Sequence, residues 1–188
     1  MVVLFPSCRK GEVVHSMAEG KTDWYETEEE LREAASLIVK VKKTEKEKNV
    51  SEYLGVEDFY HGYTLSDVEI EVIEKNDTGK EISVGDSIRV LENQFSYKAR
   101  SGNTVVCHVN QYTMMIPDKE YYLYLEFSET DQWYVPIAGF LGKVNVDEKE
   151  DLLFPASELS STGTEYIEDE YIVATMRSIQ QACLQRYE

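Results

Sequence analysis

The feature that most constrains the fold is a succession of short segments in which apolar and polar residues alternate. The clearest lies at 63–75, where Val68, Ile70 and Val72 alternate with acidic neighbours. A period of two residues places successive side chains on opposite faces, which is typical of a strand with one buried face. About seven such segments follow one another without alternating helices, so the order excludes a parallel α/β fold. It predicts a small antiparallel sandwich or barrel.

Two pairs of segments are expected to form hairpins. Segments 95–100 and 104–109 flank the tripeptide Ser-Gly-Asn, a short loop that contains glycine. Segment 121–127 is rich in tyrosine, and 133–137 follows it after five polar residues. The second pair is therefore expected to lie side by side as well.

A further strand is expected to begin at Ser36, because Leu37 and Val39 alternate with their neighbours. The run 42–48 that follows is charged and of mixed sign, which indicates that this end of the strand is solvated. Residues 49–62 are then expected to form a loop that carries several aromatic side chains.

Two helices are expected to flank the strands. Thr27 followed by Glu30 forms a capping box, which predicts a short helix that ends near Ala35. An acidic loop is expected at 147–165 and a longer helix at 166–187. The apolar stripe of the longer helix comprises Ile172, Met176, Ile179, Cys183 and Tyr187. The predicted fold class is mainly β (α+β), a small antiparallel barrel between a short N-terminal helix and a longer C-terminal helix.

The charge balance limits the classes of partner. The chain of 188 residues carries 36 acidic and 19 basic residues, so its formal net charge is −17. Binding to nucleic acid depends on neutralising phosphates with lysine and arginine, and binding to anionic membrane surfaces depends on the same positive charge. The composition therefore argues against a nucleic-acid partner, and against contact with a membrane other than through a lipid anchor.

The N-terminal segment bears on location. Residues 1–8 are apolar and end in Cys8, which is similar to the end of a bacterial lipoprotein signal whose processed cysteine carries the lipid. Residues up to 26 are polar, so 1–26 is expected to be an irregular tether or signal remnant and 27–188 a single domain. This predicts a protein that is lipid-anchored at Cys8 on the extracellular face of the membrane, or secreted. The alternative is a cytoplasmic protein in which the first residues belong to the fold.

Four segments together resemble a class of uncharacterised lipoprotein-like proteins of Gram-positive bacteria. The segments are ELREAASLIVKV (30–41), VEIEVIEK (68–75), VGDSIRVLE (84–92) and KEYYLYL (119–125). In that class a short helix leads into an OB-type barrel similar to tissue-inhibitor and netrin-like modules. The resemblance implies an OB-like fold over roughly 27–146 and implies no activity. A protease-inhibitor role would follow by analogy of fold alone.

Aromatic residues are the main candidates for ligand contact. Tyr53, Phe59, Tyr60 and Tyr63 cluster in and beside the predicted loop at 49–62, which in an OB-like barrel borders the ligand face. Rings with a polar tip suit contacts with proteins and sugars. We therefore expect a non-catalytic binding module that contacts a protein or a cell-wall component through these four residues. The alternative is that the rings complete the core.

Histidine and cysteine offer a different hypothesis. A fold that gathered His61, His108 and Cys107 would provide a metal site or a catalytic pocket. Neighbours on a strand point to opposite faces, which weighs against Cys107 and His108 acting as a catalytic pair. The spacing leaves a disulfide between Cys107 and Cys183 open. No nucleotide-binding or hydrolase motif is present, so no cofactor is expected.

Overall fold

The computed structural model of the chain describes residues 11–55, 60–160 and 170–188. This part is mostly β, with helices α1 (Glu28–Ala34) and α2 (Glu170–Tyr187) and a short 3-10 helix at Ala156–Glu158. The strands are β1 (Val13–Ala18), β2 (Leu37–Tyr53), β3 (Tyr60–Asn76), β4 (Ser87–Glu92), β5 (Gln94–Lys98), β6 (Thr104–Val109), β7 (Glu120–Ser128), β8 (Trp133–Pro136) and β9 (Lys143–Asn145). Cys8, Phe59 and the segment 161–169 lie outside the described residues.

Five strands of the larger sheet follow one another in a closed ring of hydrogen-bonded neighbours. The order is β2, β3, β4, β8, β7 and back to β2. β9 pairs with β7 beside β8. A ring of five strands cannot be antiparallel throughout, because strand direction would have to alternate around an odd number of members. The parallel contact falls between β4 and β8, where Val90 is paired with Tyr134.

A smaller sheet has the order β1, β6, β5. β1 runs parallel to β6, and β5 is antiparallel to it. The expectation of an antiparallel sheet is therefore wrong in part, because both sheets are mixed. The period of two residues that predicted the strands carries no information about their direction. The hairpin expected between 95–100 and 104–109 is confirmed as β5 and β6, and the one expected between 121–127 and 133–137 as β7 and β8.

The hairpin of β2 and β3 is longer than the sequence predicted. Each strand has 17 residues, and their pairing continues to Tyr53 and Tyr60. The loop expected at 49–62 is therefore wrong, since 49–53 and 60–62 are strand. The charged run contains a register shift between Lys43 and Glu47. Alternation of apolar residues fades there because the strands leave the core, although their backbone pairing continues.

The core has two layers that share β2 and β7. Leu37 and Val39 face Leu125 and Leu123 inside the ring. On the opposite face, Ile38, Tyr122 and Tyr124 lie under Leu31 of α1 and under Met176, Ile179 and Cys183 of α2. Both faces of these strands are buried, which explains why 37–39 and 121–125 are continuous apolar runs.

The N-terminal segment differs from expectation in one respect. Within 9–26, the segment expected to be irregular, Val13–Ala18 forms β1 against β6. The capping box is present, since Thr27 Oγ1 accepts from the Glu30 backbone N–H at 3.2 Å. Glu30 in turn accepts from the backbone N–H of Glu26, at 2.8 Å.

No helix in the described ranges combines the length and apolarity needed to cross a bilayer.

Candidate functional site

Three tyrosines from the hairpin and the small sheet pack ring against ring in a surface that we call the aromatic ladder: Tyr53, Tyr60 and Tyr97. The ring centroids of Tyr60 and Tyr97 are 4.0 Å apart at an interplanar angle of 17°. Those of Tyr53 and Tyr60 are 5.3 Å apart. Tyr53 and Tyr60 are cross-strand partners, so their side chains lie on the same face of the hairpin. Two of the four residues expected at the site are thus brought together.

The ladder rests on close packing between β3 and β5. Gly62 lies over the ring of Phe95, and a Cβ atom at this position would be 2.7 Å from that ring and 2.3 Å from the Val50 carbonyl oxygen. Phe95 is buried, and its ring centroid is 6.2 Å from that of Tyr97. Glycine at 62 therefore allows the close approach that aligns the tyrosines.

Side chains of the hairpin also fix β5 through its backbone. Asn49 donates to the Ser96 carbonyl at 2.8 Å and accepts from the Ser96 backbone N–H at 2.6 Å. The Thr64 hydroxyl donates to the Gln94 carbonyl at 2.7 Å. These bonds satisfy backbone groups on an edge strand that would otherwise be open. The ladder is consequently held on a rigid support.

The outer end of the ladder combines an aromatic ring with a cation. Arg100 donates to the Tyr53 hydroxyl at 2.9 Å, and its guanidinium carbon is 6.0 Å from the ring centroid. Tyr53 is 42% exposed and Leu54 beside it is 45% exposed. The sequence did not identify Tyr97 or Arg100, because they come from another hairpin more than forty residues away.

Tyr63 belongs to the opposite face of the hairpin. Its ring centroid is 5.6 Å from that of Trp133. His61 shares that face and contacts Glu52, with Nε2 at 3.1 Å from a carboxylate oxygen. The odd and even positions of β3 separate Tyr63 from Tyr60. The structure therefore does not bring Tyr63 into the ladder, and Phe59 falls outside the described residues.

His108 lies in a different environment from His61. Its Nδ1 is 2.9 Å from the Tyr112 carbonyl oxygen, and its Nε2 is 2.9 Å from Nδ1 of His15. Because a carbonyl only accepts, Nδ1 of His108 carries the proton, and Nε2 accepts from His15. The Phe154 ring stacks on His108 at 3.8 Å between centroids. Burial, followed by the neighbouring His15, lowers the pKa of His108.

The residues of the metal or enzyme hypothesis do not form one group. His108 is buried beside His15, whereas His61 is exposed at the hairpin. Among the described residues, no three histidine, cysteine, aspartate or glutamate side chains lie together as a metal site requires. Burial raises the pKa of the Cys107 thiol, which disfavours the nucleophilic thiolate. Cys107 and Cys183 are both buried free thiols.

A buried group of charges, which no pattern in the sequence predicted, occupies one end of the ring interior. Glu92 is 0% exposed and accepts hydrogen bonds from the Ser66 hydroxyl, the Tyr112 hydroxyl at 3.3 Å and the Met115 backbone N–H at 2.6 Å. Burial raises the pKa of Glu92, and attraction to Lys143 and Lys43 opposes that rise. Burial lowers the pKa of Lys143 to about 8.

These buried charges join segments that are distant in the chain, and a ligand cannot reach them. Lys143 is 4% exposed and donates to the Thr113 carbonyl, so it fixes the segment that covers this end of the ring. The geometry thus offers a surface suited to contact, the aromatic ladder, and two internal polar clusters suited to structure. Comparison of the chain with protein-family models, with curated proteins and with solved structures finds no match.

Proposed function

We propose that the chain is a non-catalytic binding module that contacts a partner protein through the aromatic ladder. The observation that carries the proposal is the exposure of Tyr53 and Leu54 at the tip of a hairpin whose rings already pack against one another. Rigid, amphipathic rings are enriched at protein interfaces, because they bury a large area with little loss of conformational entropy. Residues held in this way are suited to serve as anchors.

The type of partner follows from shape and charge. The ladder stands at a hairpin tip beside an exposed leucine, which favours an apolar pocket on another protein over a small hydrophilic ligand. The formal net charge of −17 favours a partner with a basic surface, because long-range attraction speeds association. Among the partners expected from sequence, a protein is therefore preferred here to a cell-wall component.

We further propose that the five-stranded ring is an OB-like barrel. Its strand number and its closing contact of a single residue pair between β4 and β8 support this, since the OB fold is a partly open five-stranded barrel. In such a barrel the loop between the first two strands borders the ligand site. That position corresponds to the tip of the β2–β3 hairpin, where the ladder lies.

Photo-cross-linking tests the contact surface. A photoreactive phenylalanine analogue at position 54 of the full chain, in cells of its own host, should capture the partner. The same analogue at Val84, a more exposed apolar position in the turn before β4 (64%, against 45% for Leu54), is the control. The captured protein, once purified, should bind the Tyr53→Ala chain at least about tenfold more weakly than the wild type, because truncating an anchor costs more than about 1.4 kcal/mol.

Thermal unfolding distinguishes a variant that has lost contact with the partner from one that has lost folding stability. Tyr53→Ala should unfold near the wild-type temperature, because Tyr53 lies at the outer end of the ladder and is 42% exposed. Tyr60→Ala should unfold at a lower temperature, because it removes the central ring of the ladder. Capture of the same protein from position 84, or equal affinity for wild type and Tyr53→Ala, would contradict the proposal.

We propose that the module acts outside the cell, anchored through Cys8. The support is the apolar segment that ends at this cysteine. The intact mass of the protein from its own host should include a diacylglycerol group, and the protein should partition into detergent. An unmodified product that keeps residues 1–8 would contradict the anchor and leave the contact surface unaffected.

A further inference from the structure

A second surface of interest is a cleft of about 440 Å³ where the small sheet meets the ring, which we call the interlayer cleft. Its polar lining includes Lys21, Asp23, Asn93 and Glu126, and Tyr25 contributes a ring to its wall. The volume lies within the range of roughly 300–1,000 Å³ that small-molecule sites occupy. None of the residues of the aromatic ladder lines this cleft.

The walls of the interlayer cleft are fixed by hydrogen bonds. Asn110 accepts from the Gly20 backbone N–H and donates to the Gly20 carbonyl, each at 2.8 Å. The Val109 backbone N–H donates to the Asn93 carbonyl at 2.9 Å. Ala138 and Gly139, which also line the cleft, have φ angles of 51° and 56°. A Cβ atom on Gly139 would stand 3.0 Å from the Asn93 amide nitrogen, so glycine leaves room for that side chain.

The polar side chains in the interlayer cleft have unused hydrogen-bonding capacity. Within the ranges that the structure describes, Lys21, Asp23, Asn93 and Glu126 make no side-chain hydrogen bond or ion pair. Comparable groups nearby are engaged, as Asn110 and Asn49 are with backbone. Lys21, Asp23 and Glu126 are exposed and Asn93 is half-buried, so all four can exchange water for the hydroxyl groups of a hydrophilic ligand in this preformed cleft.

The charges and the ring define the ligand class. One lysine and two carboxylates give the polar lining a formal charge of +1 − 2 = −1, which disfavours a phosphate or another anion. Carboxylate and amide oxygens accept from hydroxyl groups, and the amide and ammonium groups donate to them. Tyr25 is half-buried because it packs against the core, and the part of it that lines the cleft offers an apolar surface to the C–H face of a sugar ring. We infer that the interlayer cleft binds a neutral saccharide.

Glycan binding by the full chain tests the inference. The wild type, screened on a broad glycan array, should bind a neutral saccharide, and titration calorimetry with that glycan should give one site. Asn93→Ala combined with Glu126→Gln should weaken binding at least about tenfold, since each lost hydrogen bond contributes about 0.5–1.5 kcal/mol. Ala34→Trp provides a second variant, because this exposed residue at the rim would fill the cleft without removing a polar group.

Two control variants make the result specific. Glu69→Gln changes an exposed strand glutamate outside the interlayer cleft, and Tyr53→Ala changes the aromatic ladder; both should bind the glycan as the wild type does. The inference is overturned if the wild type binds no neutral glycan, if Ala34→Trp binds equally well while folded, or if spermidine binds the cleft in place of the glycan. Binding of the protein partner is tested by cross-linking at position 54, and saccharide binding is tested on glycans. Either proposal can therefore be contradicted without affecting the other.

Discussion

Glu92 is the residue whose replacement tests the buried charges most directly. Glu92→Ala leaves three donors without their acceptor and removes a carboxylate that attracts Lys143 and Lys43, so we expect a loss of about 3–5 kcal/mol in the free energy of unfolding. Urea unfolding at neutral pH measures it. Glu92→Gln keeps the shape and one acceptor oxygen and should lose less. Exposed Glu69→Ala should stay within about 0.5 kcal/mol, and an equal loss at both positions would show that the buried network contributes nothing.

Residues were predictable where their role is local. Thr27 and Glu30 were identified as a cap because the interacting atoms lie within three residues of one another. Glu92 and Lys143 were not identified, because a charged residue is expected at the surface from sequence alone. Their burial depends on segments that are distant in the chain and cover them only in the fold. His15 was missed for the same reason, as its partner His108 is 93 positions away. Of the proposed contact residues, Tyr53 and Tyr60 were predictable from clustering, whereas Tyr97 depends on how β5 docks against the hairpin.

At the scale of elements, the His15–His108 pair holds the segment after β9 against β1 and the loop after β6. The Phe154 ring covers both imidazoles, its backbone N–H donates to the Gln111 carbonyl at 2.7 Å, and the Ser160 backbone N–H donates to the His15 carbonyl at 2.7 Å. A charged His108 would lose its role as an acceptor from His15. Protonation is therefore expected to loosen this segment.

The pH dependence follows from the lowered pKa of His108. Because the folded protein binds this proton less readily than the unfolded chain, the stabilisation is full above about pH 6.5 and is lost as the pH falls through the folded pKa. The wild type should lose up to about 1.4 kcal/mol per pH unit more than His108→Phe, which does not titrate. A His108→Phe slope equal to wild type would contradict this assignment.

Elements were predictable where they are in contact with the core. Alternation located the inner ends of β2 and β3, an apolar run rich in tyrosine located β7, and the turn residues located the hairpins, because burial in the core imposes these patterns. The outer half of the β2–β3 hairpin was mistaken for a loop, since its strands are stabilised by pairing and by side chains that cap β5. β1 was missed because it is a short strand whose paired residues in β6 lie 91 positions away.

At the scale of the whole molecule, the outer half of the β2–β3 hairpin links the ring to the small sheet. The two hydrogen bonds of Asn49 join β2 directly to β5, and the aromatic ladder packs beside them. Asn49→Ala removes both bonds and leaves the Ser96 backbone groups without these partners. We expect a loss of about 1–3 kcal/mol in stability, because two hydrogen bonds at an exposed strand edge are broken.

Hydrogen exchange shows whether the two sheets unfold as one unit. If the hairpin is the main link, Asn49→Ala should speed exchange of the amides in β5 and β6 by about tenfold or more, while those of β2 and β7 inside the ring keep their wild-type rates. Lys48→Ala changes the neighbouring exposed side chain and should leave both groups of amides unchanged. Equal acceleration throughout would mean that the sheets form one cooperative unit, whereas no acceleration would mean that other contacts carry the link. If exchange is faster only in β5 and β6, the aromatic ladder should be the surface that the substitution disturbs most, because Tyr97 lies on β5.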